Sequence, residues 1–153
     1  MDNYQRFIHV SRYARYIPEL KRRETWDETV TRLTDFMRKH QPKLGNDIAK
    51  LHKAILNLEV MPSMRLLMTA GEACERDNIA AYNCSYLAMN NKRAFSECLY
   101  ILMCGTGIGF SCERQEIDKL PQVPESINTC DDRIVVGDSK LEWAKAFKKL
   151  LSS

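Results

Sequence analysis

The chain has 153 residues, 44% hydrophobic and 28% charged, enough for a domain with a sizeable core and typical of a globular protein. Its 23 basic and 20 acidic side chains leave a net charge of +3, too even a balance for a nucleic-acid binder, which carries a strong basic excess. No apolar run approaches the ~20 residues needed to span a bilayer, and the opening MDNYQRFIHVSRYAR has neither the apolar core nor the cleavage site of a secretory signal.

These features predict a cytoplasmic chain with no membrane or nucleic-acid partner. The six cysteines, Cys74, Cys84, Cys98, Cys104, Cys112 and Cys130, are then expected as buried apolar, metal-binding or redox-active thiols. Their intervals of 10, 14, 6, 8 and 18 positions contain no CxxC pair, and all three histidines lie in the first third of the chain. That pattern fits no compact tetrahedral site, so no metal is expected.

In chain order, the first strong element is TWDETVTRLTDFMRKH (25–40). Thr25 with Glu28 forms a capping box, and Arg38, Lys39 and His40 suit the negative end of the helix dipole. Trp26, Val30, Leu33, Phe36 and Met37 recur at helical spacing and predict a core stripe. QPKLGN (41–46) is a connection. A second helix is expected from Asn46 or Asp47, with Ile48, Leu51, Ile55 and Leu58 on its buried face.

VMPSMRLLMTAG (60–71) reads as an extended or mixed segment, GEACERDNI as a loop, and AAYNCSYLAM (80–89) as a short buried strand. KRAFSECLYILMC (92–104) predicts a largely buried helix with Phe95, Leu99 and Met103 on one face and Gly105 as its C′ residue. IGFSCE is a second strand, LPQVPESINTCDD a loop, and IVV (134–136) a third strand. The closing DSKLEWAKAFKKLLSS predicts a helix capped by a Ser139–Glu142 box, burying Trp143, Phe147, Leu150 and Leu151. The N-terminal 59 residues read as helical, and residues 60–153 as alternating strand and helix, an α/β pattern.

The glycines of CGTGIGFSC invite a phosphate-binding reading, which the order of elements opposes. A Walker cradle needs a GK[ST] ending, and a dinucleotide fingerprint needs a strand before the glycines and a helix after. Here the helix precedes Gly105 and the strand follows, so a negative helix end would face the anion. What remains is a helix turning sharply into a strand, with glycine permitting close backbone approach.

SRYARYIPELKRRETWDETVTR, MPSMRLLMTAG, AAYNCSYLAM, FSECLYILMCGTGIGFSCERQEIDKLPQVP and IVVGDSKLEWAKA occur in this order. Together, from about Ser11 to Leu151, they resemble the N-terminal part of ribonucleotide reductase large chains. The likeness is closest to the adenosylcobalamin-dependent, class II, ribonucleoside-triphosphate reductases. Class I chains often begin with an ATP-binding cone that has no counterpart here, and class III enzymes do not share this opening.

The resemblance implies a ten-stranded α/β barrel, present here only in its first strands and helices, after a helical segment at 1–59. It implies that Cys84, in YNCSY, is one of two redox cysteines that reduce the ribose 2′-carbon, its partner lying far downstream. It also implies substrate contacts at Ser63, Asn83, Cys84 and Gly107, and effector contacts at Asp138 and Ser139. Cys98, Cys104, Cys112 and Cys130 match no catalytic position and are expected as packing or surface thiols.

Family chains run to several hundred residues, so this reading expects a complementary C-terminal chain. That chain would carry the radical cysteine, most adenosylcobalamin contacts and the cysteines that meet a thioredoxin-type reductant. Alone, these 153 residues are expected to reduce no ribonucleotide. Two other readings are a non-catalytic piece that binds or regulates a full-length reductase and a degenerate remnant with no activity.

Overall fold

The computed structural model describes residues 1–126, 129 and 131–152, which divide into two units, Met1–Tyr82 and Asn83–Ser153. The first unit opens with α1 (Asn3–Ile8), where Asp2 and Gln5 form a reciprocal capping box, and continues into a π-helical turn over His9–Tyr13. Two short antiparallel strands, β1 (Tyr16–Ile17) and β2 (Arg22–Arg23), pair Tyr16 with Arg23 and Ile17 with Arg22. Helix α2 (Trp26–His40) follows, with the expected Thr25–Glu28 box fully formed. A 3₁₀ turn at Pro42–Leu44 leads into α3 (Asp47–Leu56).

The core of this unit is Val30, Leu33, Ile55, Leu67 and Ala70, with Trp26, Phe36, Met37, Leu51 and Leu66 packed around it. The expected α2 and α3 stripes therefore meet each other. Leu58 is the exception, because α3 ends at Leu56 and Leu58 takes a left-handed backbone (φ 61°).

Residues 60–81 depart from the expected extended and loop segments. They contain α4 (Met64–Thr69), α5 (Glu72–Arg76) and a 3₁₀ turn at Asn78–Ala81. Helices this short are marginal alone, and side chains distant in sequence hold this one. The α4 C-terminal carbonyls, which lack intrahelical donors, accept from two guanidinium groups. Arg32 Nη1 donates to Leu67 O (3.2 Å) and Ala70 O (2.9 Å), while Arg15 donates from Nε to Met68 O (3.2 Å) and from Nη2 to Thr69 O (2.9 Å).

Glu24 anchors the arrangement. Its carboxylate accepts from Arg32 Nε (2.7 Å) and Nη2 (2.9 Å), the Arg15 N–H (3.1 Å) and the Thr29 hydroxyl (2.9 Å). Burial alone would raise the Glu24 pKa, but the Arg32, Arg15 and Thr29 hydrogen bonds and the Arg32 charge hold it below the ordinary carboxylate value.

In the second unit, β3 (Cys84–Ala88) and β4 (Gly107–Ser111) pair in parallel, connected by α6 (Lys92–Met103). Asn91 caps α6 by accepting from the Ala94 N–H (3.0 Å), and Gly105 closes it with φ 81°, the left-handed C′ geometry expected of glycine there. Ala94 and Ser96 are the buried residues of α6, whereas Phe95, Leu99 and Met103 are half-buried. A single turn, α7 (Arg114–Ile117), precedes α8 (Lys140–Leu150), which packs on α6.

Several expectations change in this unit: β3, expected as a buried strand, has Cys84 exposed and Tyr86 69% exposed. Residues 134–136 form no strand: no strand among the described residues pairs with them, and Val135 is 90% exposed. Helix α8 buries Ala144, whereas Trp143 is 55% exposed and Leu150 also faces outward. The Ser139–Glu142 box is half-formed. Ser139 Oγ accepts from the Glu142 N–H (3.2 Å), but the Ser139 N–H is taken by Gly137 O (2.9 Å) and Glu142 pairs with Lys145 (2.9 Å). Of the expected ten-stranded barrel, the described residues of this unit show one parallel strand pair. The division at residue 59 rests on likeness to that barrel, and compactness does not bear on it.

Candidate functional site

Cys84 begins β3 opposite Gly107, the first residue of β4. Strand residues alternate faces, so Cys84 and Tyr86 share a face that also holds their register partners Gly107 and Gly109. Cys84 is exposed, and Tyr86 is 69% exposed. The Gly107 N–H donates to Asn83 O (2.9 Å), which locks the thiol-bearing end of the pair, and the Ser85 hydroxyl donates to Gly107 O (3.3 Å).

The glycine opposite the thiol has a steric consequence. A Cβ at Gly107 would lie 3.4 Å from Asn83 O and 3.9 Å from Cys84 Sγ, so any larger side chain would crowd the thiol. Chemically, this is an accessible thiol beside bare backbone on a rigid strand, suited to a reactant that approaches Sγ across the glycine.

The sequence-derived site residues fall into three places. Asn83, Cys84 and Gly107 come together as described. Ser63 belongs to the first unit, at the N-cap of α4, with its side chain exposed and making no cap hydrogen bond. Asp138 and Ser139 are exposed at the start of α8, and the Ser139 hydroxyl is engaged in capping.

The remaining described cysteines are free thiols in different settings. Cys74 is buried and donates to Thr69 Oγ1 (3.3 Å). Burial pushes the Cys98 thiol pKa up. Cys104 accepts from Lys140 Nζ (3.1 Å), a contact with no local sequence signature because 36 residues separate the two. Cys112 is exposed, and Cys130 lies outside the described residues. No helix among the described residues is long and apolar enough to cross a membrane.

The fold defines a class. It is similar to a crystal structure of a B12-dependent, class II, ribonucleotide reductase, with a TM-score of 0.82 over 95% of this chain and 29% of that one, at 22% identity. No protein-family model matches the sequence.

Individual relatives carry the sequence relationship. The adenosylcobalamin-dependent ribonucleoside-triphosphate reductase of Lactobacillus delbrueckii subsp. bulgaricus is 30% identical over 169 residues, 89% of this chain and 22% of the relative. Enzymes of the same name from Lactobacillus helveticus and Lacticaseibacillus paracasei are 28% and 26% identical, over 87% and 89% of this chain. The chain is thus related to the N-terminal part of adenosylcobalamin-dependent ribonucleotide reductases, and it spans between a fifth and a quarter of the length of these relatives.

Proposed function

We propose that this chain supplies the N-terminal part of a ribonucleoside-triphosphate reductase, with Cys84 as one of its two redox thiols. The observation that carries the reading is the exposed Cys84 thiol at the start of a parallel strand pair, facing a glycine. Ribonucleotide reduction replaces the 2′-hydroxyl by hydrogen and releases water. Two thiols supply the two hydrogens and two electrons and close to a disulfide. A thioredoxin-type dithiol then reopens that disulfide by thiol exchange.

In this reading Gly107 leaves room for the ribose against Sγ, while Asn83 fixes the strand end through its carbonyl. Ser63 and the Asp138–Ser139 pair are proposed as substrate and effector contacts respectively. The thiyl radical, the second redox cysteine and the completed ten-stranded barrel belong to a complementary C-terminal part. Deoxyribonucleotide synthesis for DNA replication, in the cytoplasm, is the process served.

Adenosylcobalamin is a corrin much larger than the cavity of about 330 Å³ in the first unit, and the Cys84 face is an open strand pair. Its contacts are placed in the complementary part, and no residue of this chain is assigned to it.

The test is turnover of a ribonucleoside triphosphate by an enzyme that joins this chain to the complementary part, with a dithiol reductant. Cys84→Ser is expected to assemble normally and to lose multiple turnover, because a hydroxyl cannot form the disulfide. Cys98→Ser, Cys104→Ser and Cys112→Ser are expected to keep substantial activity. Wild-type turnover by Cys84→Ser would overturn the assignment.

A further inference from the structure

The first unit contains a cavity of about 330 Å³, at the lower end of the ~300–1,000 Å³ range of small-molecule sites. Its walls include Tyr4, Ile8, His9, Tyr13, Trp26 and Leu58, and no side chain lining it is charged while His9 is neutral. Two irregularities of the backbone converge on it. The π-helical turn His9–Tyr13 supplies two wall residues, and Leu58 reaches the cavity from a left-handed backbone. π-helical turns occur disproportionately at functional sites, and strained backbone persists where the surroundings hold it in place.

His9 is the buried polar side chain of this wall. It is 3% exposed, and its ring stands edge-on to Trp26 with centroids 5.4 Å apart. Nε2 lies 2.9 Å from Thr29 Oγ1, whose own proton is committed to the Glu24 carboxylate (2.9 Å). Thr29 can therefore only accept, so the hydrogen-bond network assigns the proton of the neutral ring to Nε2 and leaves Nδ1 as a lone-pair acceptor. Burial lowers the His9 pKa; Glu24 opposes that shift and Arg32 adds to it.

Nδ1 has no hydrogen-bond partner among the described residues. No side-chain nitrogen or oxygen among them is both fully buried and unpartnered. Nδ1 therefore touches accessible space, and the cavity is the space that His9 lines. An imidazole acceptor beside the rings of Tyr4, Tyr13 and Trp26 is chemically complementary to a flat ring with an N–H donor. Trp26 contributes an aromatic wall, with its Nε1–H spent on Leu56 O (3.0 Å) and so not in competition for His9. Tyr4, 73% exposed, adds another aromatic ring to the lining.

We propose that this cavity is a binding site for a small, uncharged, planar heteroaromatic molecule whose N–H donates to His9 Nδ1. The proposal does not depend on the Cys84 chemistry.

The probe is indole, set against 1-methylindole, which keeps the ring system and lacks the donor. Both are titrated into the 153-residue chain by NMR, observing the Ile8 and Leu58 methyl groups and the His9 ring nitrogens. Indole is expected to bind with a dissociation constant below about 1 mM and about tenfold more tightly than 1-methylindole, the worth of one hydrogen bond to a buried acceptor. Its binding should shift the His9 Nδ1 resonance.

His9→Gln keeps an N–H donor toward Thr29 and removes the ring acceptor, so it should bring indole down to the affinity of 1-methylindole. Should that variant fail to fold, the wild-type comparison of the two ligands decides alone. No binding at millimolar indole, equal affinity for the two ligands, or methyl shifts that bypass Ile8 and Leu58 would each overturn the proposal.

Discussion

At the scale of single residues, Glu24 has the largest structural consequence among the polar side chains described. It joins Arg32, the Arg15 backbone and Thr29, and through Arg32 it holds the end of α4. Glu24→Gln leaves the 15%-exposed Arg32 side chain without its counter-charge, and is expected to destabilise the first unit by about 3 kcal/mol at neutral pH. The folded pKa of Glu24 is depressed, so its contribution is complete above the unfolded value and fades as pH falls through the folded one. Denaturant unfolding of both proteins should show the gap closing with acidification. A gap constant from neutral to strongly acid pH would show that Glu24 acts by packing alone.

Little of this network was legible beforehand. Glu24, Arg15 and Arg32 look like ordinary surface charges in RYARYIPELKRRETW, because their partners are carbonyls at positions 67 to 70. His9 had no sequence signal at all. Its significance comes from Thr29 and Trp26, 20 and 17 positions away.

Among elements, those governed by local rules agreed with expectation. Thr25 and Glu28 cap α2, and Thr25→Ala, which removes the acceptor of the Glu28 N–H, should cost about 1 kcal/mol in thermal unfolding of the first unit; no measurable change would show that the hydroxyl contributes nothing to the cap. Gly105 ends α6, β3 falls within the expected AAYNCSYLAM segment, and β4 starts at Gly107, one residue before the expected IGFSCE, and ends inside it. The misses have tertiary causes. Helix α4 forms where Pro62 and Gly71 suggested an extended or mixed segment, because two arginines satisfy its end. The run IVV stays irregular because a strand needs a neighbour. Helix α8 turns Ala144 inward, so Trp143 and Leu150, with the same periodicity, stay exposed.

The β3–β4 pair makes its own prediction. Gly107→Val places methyl groups beside Sγ, given that even a Cβ would lie 3.9 Å from it. The variant should slow alkylation of Cys84 several-fold while leaving that of the exposed Cys112 unchanged. Equal rates at Cys84 in the two proteins would mean that the thiol is approached from another side.

For the whole molecule, the relationship to class II reductases rests on fold and on moderate identity across most of the chain. The ordered motifs made this legible before any coordinates, because strand, glycine turn and cysteine recur together in sequence. The catalytic assignment of Cys84 asks more, since the proposed function pairs it with a thiol of a complementary part. The most direct measurement is the state of Cys84 after one turnover. The completed enzyme, fully reduced, is given ribonucleoside triphosphate without external reductant, quenched in acid, alkylated and digested for mass spectrometry. The account predicts Cys84 in a disulfide with a cysteine of the complementary part, in proportion to deoxyribonucleotide formed. Product formed while Cys84 remains a free, fully alkylated thiol would contradict it.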